Sequence, residues 1–468
     1  MSAPAIPIPA SAQRPASDGG LERGLNLWDT TLLVLGMVVG GGIFLTPAAI
    51  ARALPAPDWI LAAWVVGGLV SVAGGLVYAE LGAMMPEPGG MYLYIGRAFG
   101  PLPGFLYAWI SYFVILAGAG AAVAIGFAEY FSAFLPSLST KNVLFSLGGF
   151  DVSAGQLVAV AAVLLLSATH YVGIREGSRI QGLLTSLIVI ALVALGIGGL
   201  FAKASAHVSA SGPPAGPISL AAFGTAMVGV FWCYYGWSEI AAVAGEVRRP
   251  TRNLPLALIG GTTLVMLLYV GANVAFLKTM SVGELGQAGQ PATVAATTLF
   301  GSGAAVAVAL AVAAASAGCL SASIVPAPRV AYALAKDGLF FPRFGQAHPR
   351  FHTPAFATVV QAIWISLLCL SGRYDQLYTY ATFAVILAYT ATGIALFVFR
   401  RRLPDTPRPY RCWGYPVVPL LFVLSSAALA INTVREQPRE TLAGLAILLL
   451  GLPVYFWRRT VAAREAGA

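Results

Sequence analysis

The sequence predicts an all-α polytopic membrane protein with 12 transmembrane helices. Three observations carry the prediction. The chain is 58% hydrophobic and only 10% charged. Its mean hydropathy is +0.80. Its apolar runs extend over 17 residues or more and are joined by short loops rich in Pro, Gly and charge. Soluble domains average about 25% charged residues, and disordered chains are poor in hydrophobic ones. A spanning helix needs roughly 20 mostly apolar residues, so the 468 residues hold material for about a dozen. Membrane β-barrel strands alternate apolar and polar residues, and these runs do not.

Taken in order, residues 1–26 are rich in Pro, Ala and Ser and lack the apolar region of a removable signal peptide. They read as a disordered cytoplasmic tail. The predicted spans are 27–51, 59–84, 103–134, 152–172, 179–202, 219–245, 254–278, 302–333, 355–371, 376–399, 415–432 and 441–457. Residues 27–202 and 219–399 form two five-helix repeats, 414–457 hold helices 11 and 12, and 458–468 form a cytoplasmic C-terminal tail. An odd number of spans per repeat inverts the second copy.

The basic residues orient the chain. Of 27 Lys and Arg residues, 20 fall on the side of the termini. The other seven are Arg52, Lys141, Lys203, Lys278, Arg373, Arg435 and Arg439. This bias places both termini in the cytoplasm and accounts for the net charge of +9 without nucleic acid as a partner.

Span 1 carries three consecutive glycines, Gly40, Gly41 and Gly42, at mid-membrane depth. Each disfavours helix by about 1 kcal/mol relative to Ala. Unwound backbone at that depth is tolerated where it lines a cavity or is buried in protein. Such a break offers N–H groups to a carboxylate and carbonyls to an ammonium, the two charges of an α-amino acid. The same glycines also suit a small-residue packing face between helices. Span 6 holds a second interruption at Phe231-Trp232-Cys233-Tyr234-Tyr235-Gly236, with the ionisable Glu239 one turn later. Interruptions at corresponding positions of two repeats point to a transporter site.

Five pieces of the sequence occur in a fixed order. They are Gly40-Gly41-Gly42-Ile43-Phe44; Tyr78-Ala79-Glu80-Leu81 with Pro88-Gly89-Gly90 and Tyr92-Leu93-Tyr94; Glu246-Val247 with Arg252-Asn253-Leu254-Pro255; Arg329, Tyr332 and Lys336-Asp337-Gly338; and Arg408-Pro409-Tyr410-Arg411 with Gly414-Tyr415-Pro416. In these, nearly all of residues 25–457 resembles the amino acid–polyamine–organocation (APC) superfamily, and within it the L-type amino acid transporters and related bacterial permeases. The resemblance implies a LeuT-type 5+5 inverted repeat with two appended helices. It implies a substrate carboxylate on the N–H groups of Gly40, Gly41 and Gly42, beside Ile43. The ammonium would meet carbonyls near Val39 and near Trp232, Cys233 and Tyr235, at the Gly236 break. Trp232 matches a gating aromatic and Tyr92 an inner-gate tyrosine. The chain departs from sodium-independent relatives that carry a lysine in span 5, because aligning Gly173, Gly177, Gln181 and Thr185 puts that position at Ile188.

Ser321 and Ser323 in span 8 lie where sodium-coupled relatives of the fold place ion-binding hydroxyls. Hydrogen bonds to their own helix carbonyls are the preferred reading. Glu239 is a candidate for binding and releasing a proton, and equally for bonding a neighbouring helix, since the family's acidic coupling position aligns with Ser238. The four cysteines have no metal-ligand spacing, and His348 and His352 lack a third ligand. No Walker sequence or dinucleotide fingerprint is present, so no cofactor is expected. The polar filter of a channel and the convergent His, Asp or Cys set of an enzyme are also missing from the sequence. The sequence therefore reads as a secondary transporter of neutral L-amino acids in the cytoplasmic membrane, working by alternating access as exchanger or proton symporter. A cationic amino acid or polyamine carrier is the alternative. The partners are an amino acid and the lipid bilayer.

Overall fold

Prolines and short polar side chains set where the helices begin. Pro57, Pro101, Pro250, Pro291 and Pro326 each occupy the first turn of a helix, where the missing N–H goes unneeded. Asn26 and Ser153 head capping boxes with Asp29 and Gln156. The computed structural model describes residues 20–132, 134–147, 150–202, 218–371, 374–436 and 438–466.

Span 1 is two helices, Leu27–Val38 and Gly42–Ala53, bent by 42°. Span 2 is Pro57–Met84, and span 3 runs from Pro101 to Ser132 through a π-helical turn at Ser111–Ile115. Spans 4 and 5 are Ala154–Val172 and Ile174–Phe201. Span 6 is the helix Leu220–Tyr234 followed by a 3-10 stretch, Trp237–Glu246. Spans 7 and 8 are Pro250–Thr279 and Ala304–Ile324, the latter continued by Pro326–Lys336. Then come Ala355–Ser371, Tyr374–Arg402, Val417–Glu436 and a last pair, Pro438–Leu449 with Gly451–Ala466. Among the described residues nine helices are long and apolar enough to cross a membrane, and the bent pair of span 1 makes ten. The two remaining predicted spans are the broken span 6 and the 17-residue Ala355–Ser371.

The structure adds elements that apolar periodicity does not announce. These are an antiparallel hairpin pairing Val143–Leu147 with Phe150–Ser153, and short helices Met91–Phe99, Val282–Gln287 and Pro291–Phe300. Both predicted tails differ. Residues 1–19 lie outside the described residues, but Leu25 is fully buried, its N–H donating to the Glu246 carbonyl while its own carbonyl accepts from Arg248. Residues 458–466 continue the last helix, and Arg458 is buried with a hydrogen bond to the Gly338 carbonyl. Both segments find partners in the loops on the terminus side, which a sequence pattern does not reveal.

Small residues bring the long helices together, as membrane packing favours. A Cβ on Gly196 of span 5 would stand 3.5 Å from the Gly271 backbone of span 7, and one on Gly75 of span 2 would stand 3.1 Å from the Thr262 hydroxyl. The terminus-side face is tied by buried charge. Arg329 grips Glu246 through two bonds of 2.6 and 3.0 Å, both side chains almost wholly buried. Glu80 takes Arg400 at 2.6 and 3.0 Å and the Cys412 N–H at 2.6 Å, with Arg408 at 3.3 Å.

Candidate functional site

The two helix breaks meet. Gly236 has φ +117°, a conformation that favours glycine, and a Cβ there would collide with the Met37 carbonyl of span 1. Span 6 can therefore turn across span 1 only with glycine at this position. Span 1 stops at Val38 and restarts at Gly42, with Val39 to Gly41 outside either helix. Gly40 donates to the Val38 carbonyl at 3.0 Å, and Tyr269 of span 7 donates its hydroxyl to the same oxygen at 3.0 Å. The first N–H groups of a helix have no partner within it. Here the N–H groups of Gly41, Gly42 and Ile43 have no backbone partner among the described residues.

The surroundings of these N–H groups are small and neutral. Gly40 faces Cys319 of span 8, whose Sγ would lie 3.0 Å from a Cβ there. Gly42 faces Cys233 of span 6, with Sγ at 3.2 Å from the equivalent point. Gly41 has only the Tyr130 ring within 4 Å, at 3.9 Å. Gly41 and Gly42 keep some surface accessible, whereas everything from Trp237 to Ala244 is buried. On span 6 the Trp232 carbonyl accepts the Tyr235 N–H at 3.2 Å, while the Cys233 carbonyl accepts no backbone N–H from outside its helix among the described residues. All four cysteines are free thiols.

Aromatic rings wall the break. Trp232 and Tyr235, both half-buried, stack with centroids 5.9 Å apart. Tyr235 stacks in turn on Tyr389 of span 10 at 6.4 Å, and Phe231 and Trp237 lie 5.8 and 5.4 Å from the same ring. Glu239 lies behind them, 4% exposed. It accepts from the Tyr235 hydroxyl at 3.3 Å and from the Ser238 hydroxyl at 3.4 Å. Ser238 also shares a 2.9 Å hydrogen bond with the Tyr389 hydroxyl. No ion pair to Glu239 occurs among the described residues.

The other sequence-predicted residues lie apart from this cluster. Tyr92, on the short helix Met91–Phe99, donates to Asp337 at 2.5 Å on the terminus side. Ser323 donates to its own helix at the Cys319 carbonyl, 2.7 Å away. Ser321 behaves differently: it is bonded across helices to His170 Nε2 at 2.9 Å. Ile188 is buried in span 5 beside an apolar cavity. Two turns earlier Gln181 donates to the Leu32 carbonyl of span 1 at 2.9 Å and to Thr185 at 2.7 Å. Sequence reasoning missed Tyr269, Cys319 and Tyr389 as wall residues. Their signal was a hydroxyl or thiol within an apolar run, and many such residues only pack.

A family model for amino acid permeases matches residues 25–452. The chain belongs to the amino acid permease family. It is a polytopic all-α membrane protein of the APC superfamily. Among curated relatives, it is 30% identical over 442 residues to the serine/threonine exchanger SteT of Bacillus subtilis (strain 168), covering 94% of this chain and 97% of that one. It is 28% identical to the human b(0,+)-type amino acid transporter 1, over 93% of this chain and 88% of the relative. It is 29% identical to the human large neutral amino acids transporter small subunit 2, over 96% and 83%. Amino acid transport across a membrane is the activity this membership supports.

Proposed function

We propose that this permease carries neutral L-amino acids across the cytoplasmic membrane by alternating access, as an exchanger or a proton symporter, with both termini in the cytoplasm. The observation that carries the reading is the meeting of two helix breaks in the membrane, which brings the N–H groups of Gly41, Gly42 and Ile43, without a backbone partner among the described residues, near the Cys233 carbonyl at the end of the first half of span 6. A zwitterion satisfies both sets, and the helix termini favour its two charges. Small thiols and glycines beside the cradle leave room for a modest side chain. The Trp232–Tyr235 stack suits a lid, since half-buried rings can move without unpacking a core. The ion pairs and the Tyr92–Asp337 bond hold the terminus side shut, so opening there requires their release.

Sodium coupling is left out of the proposal: Ser323 bonds its own helix, as a structural serine does, and Ser321 pairs with His170. Glu239 is the coupling candidate: a buried acid with two hydroxyl donors and no ion pair among the described residues. The same acid keeps a cationic substrate as the second reading. Counterflow of labelled amino acids in proteoliposomes decides between them. Saturable counterflow of neutral amino acids, indifferent to Na⁺, supports the proposal. Preference for arginine, lysine or polyamines overturns its substrate class, and conductance without counterflow overturns the carrier mechanism.

A further inference from the structure

Behind the aromatic wall lies a cavity of about 440 Å³ that the transport cycle leaves unexplained. It opens among spans 2, 6, 10 and 11, in the half of the protein remote from the termini. Its volume falls in the range of roughly 300–1,000 Å³ typical of small-ligand sites. The base is Trp237, Tyr389 and Phe422, and the sides include Val70, Met227 and Leu429. The one serine on span 2, Ser71, turns its hydroxyl back to the Gly67 carbonyl at 2.9 Å and offers little to a ligand.

The other polar lining is on span 11: Ser425, one turn from Phe422 at the base, and Asn432 and Arg435 on the last turns. Asn432 Nδ2 is buried there with no hydrogen-bond partner among the described residues. A buried donor without a partner costs about 1–3 kcal/mol, so a ligand acceptor at this point would be stabilising. Arg435, one turn on, lines the same cavity and forms no ion pair among the described residues. The site thus pairs a long, largely apolar slot with an amide donor and, at its mouth, a cation that has no ion pair among the described residues. Neutral lipid tails would leave both polar groups unused.

We propose that this cavity binds a single-chain anionic amphiphile, a long-chain carboxylic acid, with its carboxylate on Asn432 and Arg435 and its chain along Leu429, Met227 and Val70. The ligand would press on the face of Trp237 and Tyr389 opposite the helix breaks.

The test uses the full-length purified protein and a palmitate carrying a photoreactive diazirine. Labelled peptides are mapped by mass spectrometry. The expected labels lie on residues 223–231 and 425–435, and unlabelled palmitate competes for them. Palmitamide, neutral and of equal length, competes about tenfold more weakly or worse, as loss of a charged hydrogen bond predicts. Arg435→Gln lowers labelling by a similar factor. Ala428→Phe, which fills the slot and keeps the cation, also lowers it. Both variants are checked for an unchanged melting temperature, and Asn432→Leu replaces Arg435→Gln if that variant does not fold. Equal competition by palmitamide, equal displacement by phosphatidylglycerol vesicles, or wild-type labelling of Ala428→Phe would each overturn the proposal. So would labels confined to lipid-facing leucines that palmitate does not protect.

Discussion

Gly41→Ala separates folding from binding at the helix break. Gly41 has φ −62° and ψ −19°, which alanine adopts freely, and the added methyl meets only the Tyr130 ring at 3.9 Å. The folded protein therefore accepts the change, and restricting the unfolded chain favours it by about 0.4–1 kcal/mol. The methyl nevertheless sits beside the unpaired N–H groups of Gly41, Gly42 and Ile43. If these hold a substrate carboxylate, displacing it from one charged hydrogen bond costs about 1.5–3 kcal/mol. That is about 10- to 150-fold in affinity. The assay is half-saturation of counterflow in proteoliposomes, with the melting temperature of the purified variant measured alongside. The expected result is an equal or higher melting temperature with affinity weakened by that factor. Wild-type affinity in a stable variant would refute the cradle, because the methyl could not then lie where substrate binds.

Glu246→Gln leaves Arg329 buried without its carboxylate, and breaking such a pair costs about 3–5 kcal/mol; Glu246→Leu combined with Arg329→Met should recover most of the lost melting temperature. Burial holds the Asp337 carboxyl above its ordinary value of 3.8, while the Tyr92 hydroxyl and Arg97 pull it back down. A raised acid in the fold loses stability as pH rises from its unfolded through its folded value, so Tyr92→Phe, which removes a group favouring the carboxylate, should fall behind wild type at about pH 7 and close the gap near about pH 4 in melting experiments. Glu239→Gln should lose accumulation driven by a pH gradient yet keep substrate exchange; an unchanged pH profile assigns Glu239 to structure alone. Trp232→Ala should leave substrate-induced thermal stabilisation in place while uptake falls, and unchanged uptake removes Trp232 from the gate.

By itself the sequence determined membrane embedding, the order of the helices and the positions of the two breaks. These are properties of neighbouring residues: the apolar length of a run, the helix penalty of Gly40 to Gly42, the freedom of Gly236. It did not determine the partners of the polar residues. Tyr92 and Asp337 are 245 positions apart, and Arg329 and Glu246 are 83 apart. Ser321 shows the limit most clearly. Its local options were its own helix carbonyl or an ion, and the structure gave it His170, from a helix 151 positions away. The same holds for the cavity near Asn432, whose walls come from four spans that no short window contains. A hydrogen bond depends on where a side chain arrives after the helices have packed, and in a membrane that packing follows the close approach of small residues such as Gly196 and Gly271. Only the tertiary structure decides which hydroxyl, thiol or carboxyl ends beside the break and which ends in a lock on the terminus side.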